Sequence, residues 1–234
     1  MARIDTLTNF LTDVATAIKA KKGDDTAIPA ANFDTEIANL PSGGGESSGD
    51  NTALISLIDR TVTSIEIPEG TTSIGYSVFY SCINLTSVTI PDSVTNISAN
   101  AFATCRSLTS ITIPDSVTSI GYNVFSGCSG LTSITIPHSV TSIGDLAFYN
   151  CTGLTSITIG NGVTSIGNSM FRDCTNLTEI DFSTHNAVPT LADTSAFSNT
   201  PASLVIKVPS ALLDEWKAAT NWSTYADKIV GVRL

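Results

Sequence analysis

Residues 106–128 read RSLTSITIPDSVTSIGYNVFSGC, and this stretch decides the fold because the chain repeats it. The preceding residues 83–105 read INLTSVTIPDSVTNISANAFATC, and the following residues 129–151 read SGLTSITIPHSVTSIGDLAFYNC. Two further copies occupy 60–82 and 152–174, and a sixth, degenerate copy begins at 175–182. Each complete copy ends in a cysteine, so five cysteines recur at intervals of 23 residues. Such a period is typical of a solenoid, in which each coil buries its apolar face against its neighbours.

Within one copy, the apolar pattern predicts a short strand followed by a second apolar edge. Side chains alternate along a strand, so Ile111 and Ile113 are expected to face inward while the Ser and Thr beside them face outward. Pro114 ends the strand because it has no N–H to donate to a ladder. Val117 and Ile120 form the second edge. Strands of successive copies are expected to lie parallel, about 4.8 Å apart.

The last residues of each copy are expected to fill the core. Residues 123–128 are too few for a long helix and predict a helical or 3₁₀ turn that buries Phe125 and Cys128. The equivalent phenylalanines are expected to stack in one column: Phe79, Phe102, Phe125, Phe148 and Phe171. An interval of 23 is not a zinc-ligand spacing. Buried free thiols are favoured over disulfides, which coil spacing alone does not exclude.

Both open ends of a solenoid must be covered. At the start, Leu54, Leu57 and Ile58 predict a partial coil or cap. At the end, the repeat is expected to break after Phe182. Residues 203–208 then predict a final strand, and residues 210–222 a helix begun after Pro209. The side chains expected to cover the last coil are Leu212, Leu213, Trp216 and Trp222.

The N-terminal residues follow a different pattern. One apolar helical stripe is formed by Ile4, Leu7, Leu11, Val14 and Ile18. The stripe is compatible with a helical hairpin packed on itself or on the solenoid, and equally with an oligomerisation or docking module that makes the protein a homo-oligomer. The sequence SGGGESSGDN at 42–51 indicates a flexible linker, which favours the second interpretation.

These elements define an α/β repeat fold. The predicted domains are a helical attachment or oligomerisation module (1–41), a linker (42–51), a solenoid of 23-residue repeats with parallel strands (52–200) and a C-terminal strand–helix cap (201–234).

Charge and composition exclude several classes of function. The chain has 11 Lys and Arg against 21 Asp and Glu, a net charge of -10, which argues against nucleic acid as a partner. The sequence contains no run of 18 apolar residues, so we expect no membrane insertion. No export signal is recognised near the start, and we therefore expect the chain to fold in a cytoplasm.

No motif for catalysis, a cofactor or a metal is recognised, and we expect no enzyme activity. His138 replaces an aspartate at a turn and is expected to be solvated. His185 lies in an irregular stretch near Asp181 and Asp193, where a metal or acid–base site has only weak support.

One candidate surface is the outward face of the predicted sheet. Its two columns are Glu66, Thr89, Thr112, Thr135, Thr158, Asp181 and Ser64, Ser87, Ser110, Ser133, Ser156, Glu179. Regular threonine rows also resemble ice-binding solenoids, although here one column is serine. The simpler interpretation is a solvated face whose threonines aid strand pairing.

The second candidate surface is the edge where otherwise similar copies differ, which we call the variable edge. The candidate ligand-binding residues there are Tyr76, Tyr80, Tyr122, Asp145, Tyr149 and Arg172. Neutral drift on a solvated edge explains the divergence. Recognition is the alternative, because exposed Tyr and Arg are favoured binding anchors.

The repeat LTSITIPDSVTSIGYNVFSGC resembles the BspA-type leucine-rich repeat of bacterial adhesins and of phage proteins, over about 60–200. Residues 10–41 resemble short N-terminal modules of structural proteins in phages of Gram-positive bacteria. The family implies adhesion or assembly rather than catalysis, and it transfers no fixed set of binding residues.

The resemblance favours a phage virion protein that forms part of a fibre or baseplate or is attached to the capsid. Its partners would be other virion proteins through the N-terminal helices and a host cell-surface protein or glycan through the solenoid. The alternatives are a bacterial surface or secreted adhesin, and a purely structural decoration or ice-binding solenoid.

Overall fold

The computed structural model describes residues 62–233, which form a parallel β-solenoid of about seven turns. The first sheet takes one strand from most turns: β1 (Ser64–Glu66), β3 (Ser87–Thr89), β6 (Ser133–Ile136), β8 (Ser156–Ile159), β10 (Glu179–Asp181), β12 (Val205–Pro209) and β13 (Ile229–Val232). The second side takes shorter strands, which pair in two groups. The first group is β2 (Ser73–Ile74), β4 (Asn96–Ile97), β5 (Ser119–Ile120) and β7 (Ser142–Ile143), and the second is β9 (Ser165–Ile166) and β11 (Thr190–Leu191). All pairings are parallel, as predicted.

The register of the sheets follows the repeat. Ser133 pairs with Ser156, and Ile134 with Ile157, so equivalent residues of successive coils lie side by side. In β6 the two isoleucines are buried and Ser133 is exposed, which confirms the predicted alternation. Threonine hydroxyls at the sheet corner reinforce the register, because Thr86 Oγ1 donates to the carbonyl of Thr63 at 2.8 Å and Thr155 Oγ1 to that of Thr132 at 2.9 Å.

The predicted strand of the third copy is the exception. Ile111 and Ile113 are buried as expected, but residues 110–113 form no strand, and the first sheet is divided into β1–β3 and β6–β8–β10–β12–β13. On this side of the solenoid, the backbones of the second and third coils lie farther apart than those of the first and second. The distance from Thr109 N to Thr86 O is 3.4 Å, against 2.7 Å between the equivalent atoms one coil earlier. The ladder is therefore interrupted although the side-chain pattern continues.

A third side of each coil is built from turns, in line with the predicted helical or 3₁₀ turn: Cys128 N donates to Phe125 O at 3.1 Å, three residues earlier. Asn123 and Gly127 have φ of 59° and 69°, and every complete coil places two such left-handed residues four positions apart. Left-handed residues end a helical turn, so the segment cannot continue as a helix. Its amides instead reach the next coil, as in the 2.8 Å bond from Phe125 N to Ala147 O.

The core lies between these three sides. The predicted phenylalanine column is confirmed, with neighbouring rings stacked at centroid distances of 5.1 to 5.6 Å. All five cysteines are buried and free, as predicted. Four of the thiols donate to the phenylalanine carbonyl of the preceding coil, as Cys128 Sγ does to Phe102 O at 3.1 Å.

The prediction that the repeat breaks after Phe182 is wrong. β11 pairs with β9, and Phe197 stacks on Phe171 at 5.6 Å. The phenylalanine spacing is here 26 residues instead of 23, so the continuing coil falls out of the sequence frame.

The C-terminal cap also differs from the single helix predicted for 210–222. It contains a 3₁₀ helix (Ser210–Leu212), the helix α1 (Leu213–Ala218), a second 3₁₀ helix (Trp222–Lys228) and β13, which the sequence did not predict. Trp216 and Trp222 are buried as expected, with Trp222 Nε1 donating to Pro189 O at 2.7 Å. Among residues 62–233 no helix is long and apolar enough to span a bilayer.

The predictions for the N-terminal stripe, the linker and the starting cap at Leu54, Leu57 and Ile58 fall on residues 1–61. They lie outside the described residues.

Candidate functional site

The variable edge runs along the turn side of the solenoid. Its exposed aromatic side chains are Tyr76, Tyr80 and Tyr122, which are 70%, 42% and 48% accessible. Tyr149 and Asp145 are partly buried, and Arg172 is exposed. The edge therefore presents its aromatic surface in the first and third coils and its charge in the fourth and fifth.

The backbone of this edge is held by bonds between coils. Ser77 N donates to Ala99 O at 3.0 Å, and Asn100 N donates to Tyr122 O at 2.9 Å. These bonds place Tyr76, Ala99 and Tyr122 in one column. A small side chain therefore lies in this column between two positions that carry exposed rings, and we call this part of the column the alanine notch.

Side-chain hydrogen bonds between coils accompany the edge. Asn123 Nδ2 donates to Asn100 Oδ1 at 2.7 Å, which joins the two residues that follow Ala99 and Tyr122 in the chain. In the column of Ala99 and Tyr122 itself, Asn168 Nδ2 donates to Asp145 Oδ2 at 3.0 Å. Sequence reasoning missed the asparagine pair. Asn at the same position of two neighbouring copies was its only signal.

The charged end of the edge is internally compensated. The Arg172 guanidinium lies 3.6 Å from the Asp173 carboxylate, and Asp145 also accepts from Asn168 N at 2.8 Å. An exposed ion pair of this kind contributes little to stability. Arg172 and Asp145 thus have partners already, whereas the tyrosine rings of the first and third coils are exposed to solvent.

The sheet face presents the predicted hydroxyl columns. The register places Glu66 beside Thr89, Thr135 beside Thr158, and Thr158 beside Asp181. An open groove of about 460 Å³ lies on this face beside residues 110–113, where the ladder is interrupted. Its polar lining includes hydroxyls and the exposed His138, whose Nδ1 accepts from Asn161 N at 3.1 Å. His138 is thus the exposed turn residue that the sequence predicted.

His185 is buried in an aromatic cluster rather than in a metal site. Its ring packs edge-on against Phe182 at 5.1 Å, and Nε2 lies 3.2 Å from the carbonyl of Val163. Desolvation lowers the pKa of His185 below its ordinary value. Asp181 and Asp193 accept instead from Ser183 and Ser195. No group of three metal-binding side chains occurs within residues 62–233.

The cysteine column has the chemistry of a core rather than of a reactive site. Burial raises the pKa of the Cys105 thiol to about 12, and it raises those of Cys128 and Cys151 well above the ordinary range. A thiol is nucleophilic only as the thiolate. These cysteines are therefore protonated and shielded at neutral pH.

The stacked parallel strands, the 23-residue period and the inward leucine and isoleucine positions define a leucine-rich-repeat solenoid. The model of the BspA type leucine rich repeat region matches residues 58–133 and 95–214 in six copies, and the chain belongs to this family. The resemblance of the N-terminal residues to phage modules stays a prediction.

Two solved structures illustrate the similarity. A leucine-rich repeat protein of T. pallidum is 30% identical with a TM-score of 0.55, over 61% of this chain and 66% of that one. The pneumococcal vaccine antigen PcpA is 21% identical with a TM-score of 0.62, over 74% of this chain and 42% of that one. This chain spans less than two thirds of the length of either protein. No curated protein matches the chain.

Proposed function

We propose that this protein is a non-catalytic interaction protein that contacts a cell surface through the variable edge of its solenoid. The observation that carries the proposal is the distribution of exposed large apolar side chains. Among the described residues there are five, and Tyr76, Tyr80 and Tyr122 lie on this edge, with Ile83 close by. Exposed aromatic residues gathered on one side of a scaffold are typical of binding anchors.

The rival surface is chemically uniform. Its threonine and serine columns repeat from coil to coil, and many of the threonines at its corner already donate to neighbouring carbonyls. A repeated hydroxyl row offers one chemistry along its length, whereas the variable edge differs in every coil. We therefore assign binding to the edge and the scaffold role to the sheets.

Binding of labelled protein to bacterial cells, measured by flow cytometry, tests the assignment. The variant Tyr76→Ser/Tyr80→Ser/Tyr122→Ser should lose at least tenfold in bound protein and keep its circular dichroism spectrum. The matched control Thr112→Ser/Thr135→Ser/Thr158→Ser should bind like the unchanged protein. Loss of binding in the control alone would move the site to the hydroxyl face and contradict the proposal.

The place of action is a finer proposal. We favour a virion protein attached through residues 1–41, and a bacterial surface protein is the alternative that fits equally well. Mass spectrometry of purified virions and of cell-envelope fractions distinguishes them. Detection in the envelope alone would reject the virion role.

The role of residues 1–41 has its own test. Equal oligomeric mass for residues 52–234 and the whole chain would reject an oligomerisation module.

A further inference from the structure

The spacing of the coils sets the width of the alanine notch along the solenoid. Coil spacing near it is set by the phenylalanine column, whose centroid distances are 5.1 Å between the first two coils and 5.6 Å between the next two. Tyr76 and Tyr122 are two coils apart in one column, so their Cα atoms are on the order of 10 Å apart, twice the parallel-strand spacing. Ala99 places only a methyl group between them.

A ring held between two aromatic faces needs one contact distance on each side. Carbon atoms pack best at about 3.5–4.0 Å, so a sandwich of this kind spans roughly 8 Å plus the pucker of the inserted ring. Two tyrosine rings that project side by side from these positions therefore leave room for one pyranose ring between them. A helix with its side chains is about 10–12 Å wide, which is too large to enter between the tyrosines.

The chemistry beside the notch suits hydroxyl groups. Asn123 Nδ2 is used in the bond to Asn100 Oδ1. This leaves Asn100 Nδ2 as a donor and Asn123 Oδ1 as an acceptor, with no other hydrogen bond to either in the described part of the chain. A sugar hydroxyl both donates and accepts, and a pyranose C–H face matches the electron-rich face of a tyrosine ring.

The electrostatics favour a neutral ligand. Between residues 83 and 128 the chain carries only Asp92, Arg106 and Asp115. None of these lies in the column of the notch, and the carboxylate of Asp145, the next residue of that column beyond Tyr122, accepts hydrogen bonds from Asn168. A charged saccharide would therefore find no counter-charge in these two coils, and long-range attraction is weak there.

We infer that Tyr76 and Tyr122 sandwich one neutral pyranose ring of a glycan over Ala99, with the Asn100–Asn123 pair holding its hydroxyls. The inference rests on the proposed function and adds to it the chemical class of the ligand. In this arrangement the small side chain of Ala99 is as important for binding as the two tyrosines that flank it.

The variant Ala99→Tyr tests the inference directly. Tyrosine occupies the same position in the coils on either side, so the variant should fold, and it fills the notch while enlarging the exposed aromatic surface. Isothermal titration with neutral malto-, cello- and chito-oligosaccharides should show binding to the unchanged protein and at least a tenfold loss in Ala99→Tyr. The control Thr135→Tyr adds the same ring on the exposed sheet face and should bind like the unchanged protein.

The outcomes separate this inference from the proposed function. No binding of any oligosaccharide, or binding unchanged in Ala99→Tyr, would overturn the sandwich. Preference for an aromatic peptide over every saccharide would also overturn it. If cells are bound through the tyrosines while the oligosaccharides are not, the proposed function stands and the inference fails. If both kinds of binding survive the triple tyrosine variant, both fail.

Discussion

Each coil places one phenylalanine over the phenylalanine of its neighbour. Phe125 is fully buried and stacks on Phe102 at 5.6 Å and on Phe148 at 5.5 Å. Because coils in a solenoid touch only their neighbours, the interface between two coils is the unit of stability. The ring in the middle of the column contributes to two such interfaces.

Truncation of that ring should be costly. The variant Phe125→Ala leaves a cavity in both interfaces, and we expect the free energy of unfolding to fall by about 3–5 kcal/mol. The control Tyr122→Ala removes an exposed ring of the same coil and should change it by about 0.5 kcal/mol or less. Urea unfolding followed by circular dichroism measures both. Equal losses would show that the column does not hold the coils together.

The cysteines give a second test at this scale. Their burial and the raised pKa of Cys105, about 12, leave almost no exposed thiolate at pH 8. Iodoacetamide at pH 8 should therefore modify none of the folded chain within an hour and all five cysteines after denaturation, as counted by mass spectrometry. Rapid modification of folded protein, or fewer than five adducts after denaturation, would contradict free thiols in a closed core.

At the scale of the element, the inward and outward positions of the strands could be predicted, and the left-handed residues of the turns could not. Alternation of apolar and hydroxyl residues marks Ile134 and Ile136 as inward-facing from sequence alone. The left-handed conformations of Thr104 and Leu146 carry no such signal, because β-branched and large side chains disfavour positive φ. Hydrogen bonds from neighbouring coils impose that geometry, and single-coil propensity does not contain them.

The last coil failed prediction for a related reason. Three additional residues between Phe171 and Phe197 move the repeat out of frame, although β11 still pairs with β9. The exposed tyrosines of the variable edge were predictable from the differences among copies. The Asn100–Asn123 pair was not, because it exists only once the coils are in register.

His185, which packs against Trp216 of the cap, makes the stability of this end depend on pH. Burial lowers the pKa of His185 from its ordinary 6.5, so the unfolded chain binds this proton more tightly than the folded chain. The contribution of His185 to stability is therefore complete above about pH 6.5 and is lost as pH falls below it. The free energy of unfolding should drop between pH 7.5 and pH 5.5.

Substitution of the histidine separates its effect on stability from that of the carboxylates, which titrate at lower pH. The drop should be smaller in His185→Gln and unchanged in His138→Gln, where the exposed histidine is replaced. Urea titrations at the two pH values provide the comparison. An identical drop in all three proteins would show that His185 does not carry the effect.

At the scale of the whole molecule, the coils are alike where they touch and different where they face solvent. Inward positions repeat because each coil must fit the next, with Phe and Cys at fixed places. The variable edge is released from that requirement, which is why Tyr76, Ala99 and Asp145 occupy one column. The inward positions keep the coils equally spaced, and the residues that we propose for binding lie on the edge, where the coils differ.

Removal of one whole coil tests this account most directly. Deletion of residues 106–128 joins Cys105 to Ser129 and brings Phe102 over Phe148 with every ladder in register. We predict a chain that keeps its circular dichroism spectrum and cooperative unfolding, at lower stability because one interface is lost. Deletion of residues 106–117 removes about half a coil and should abolish the folded state. An unfolded product of the 23-residue deletion, or equal folding of both, would contradict the coil as the unit of the structure.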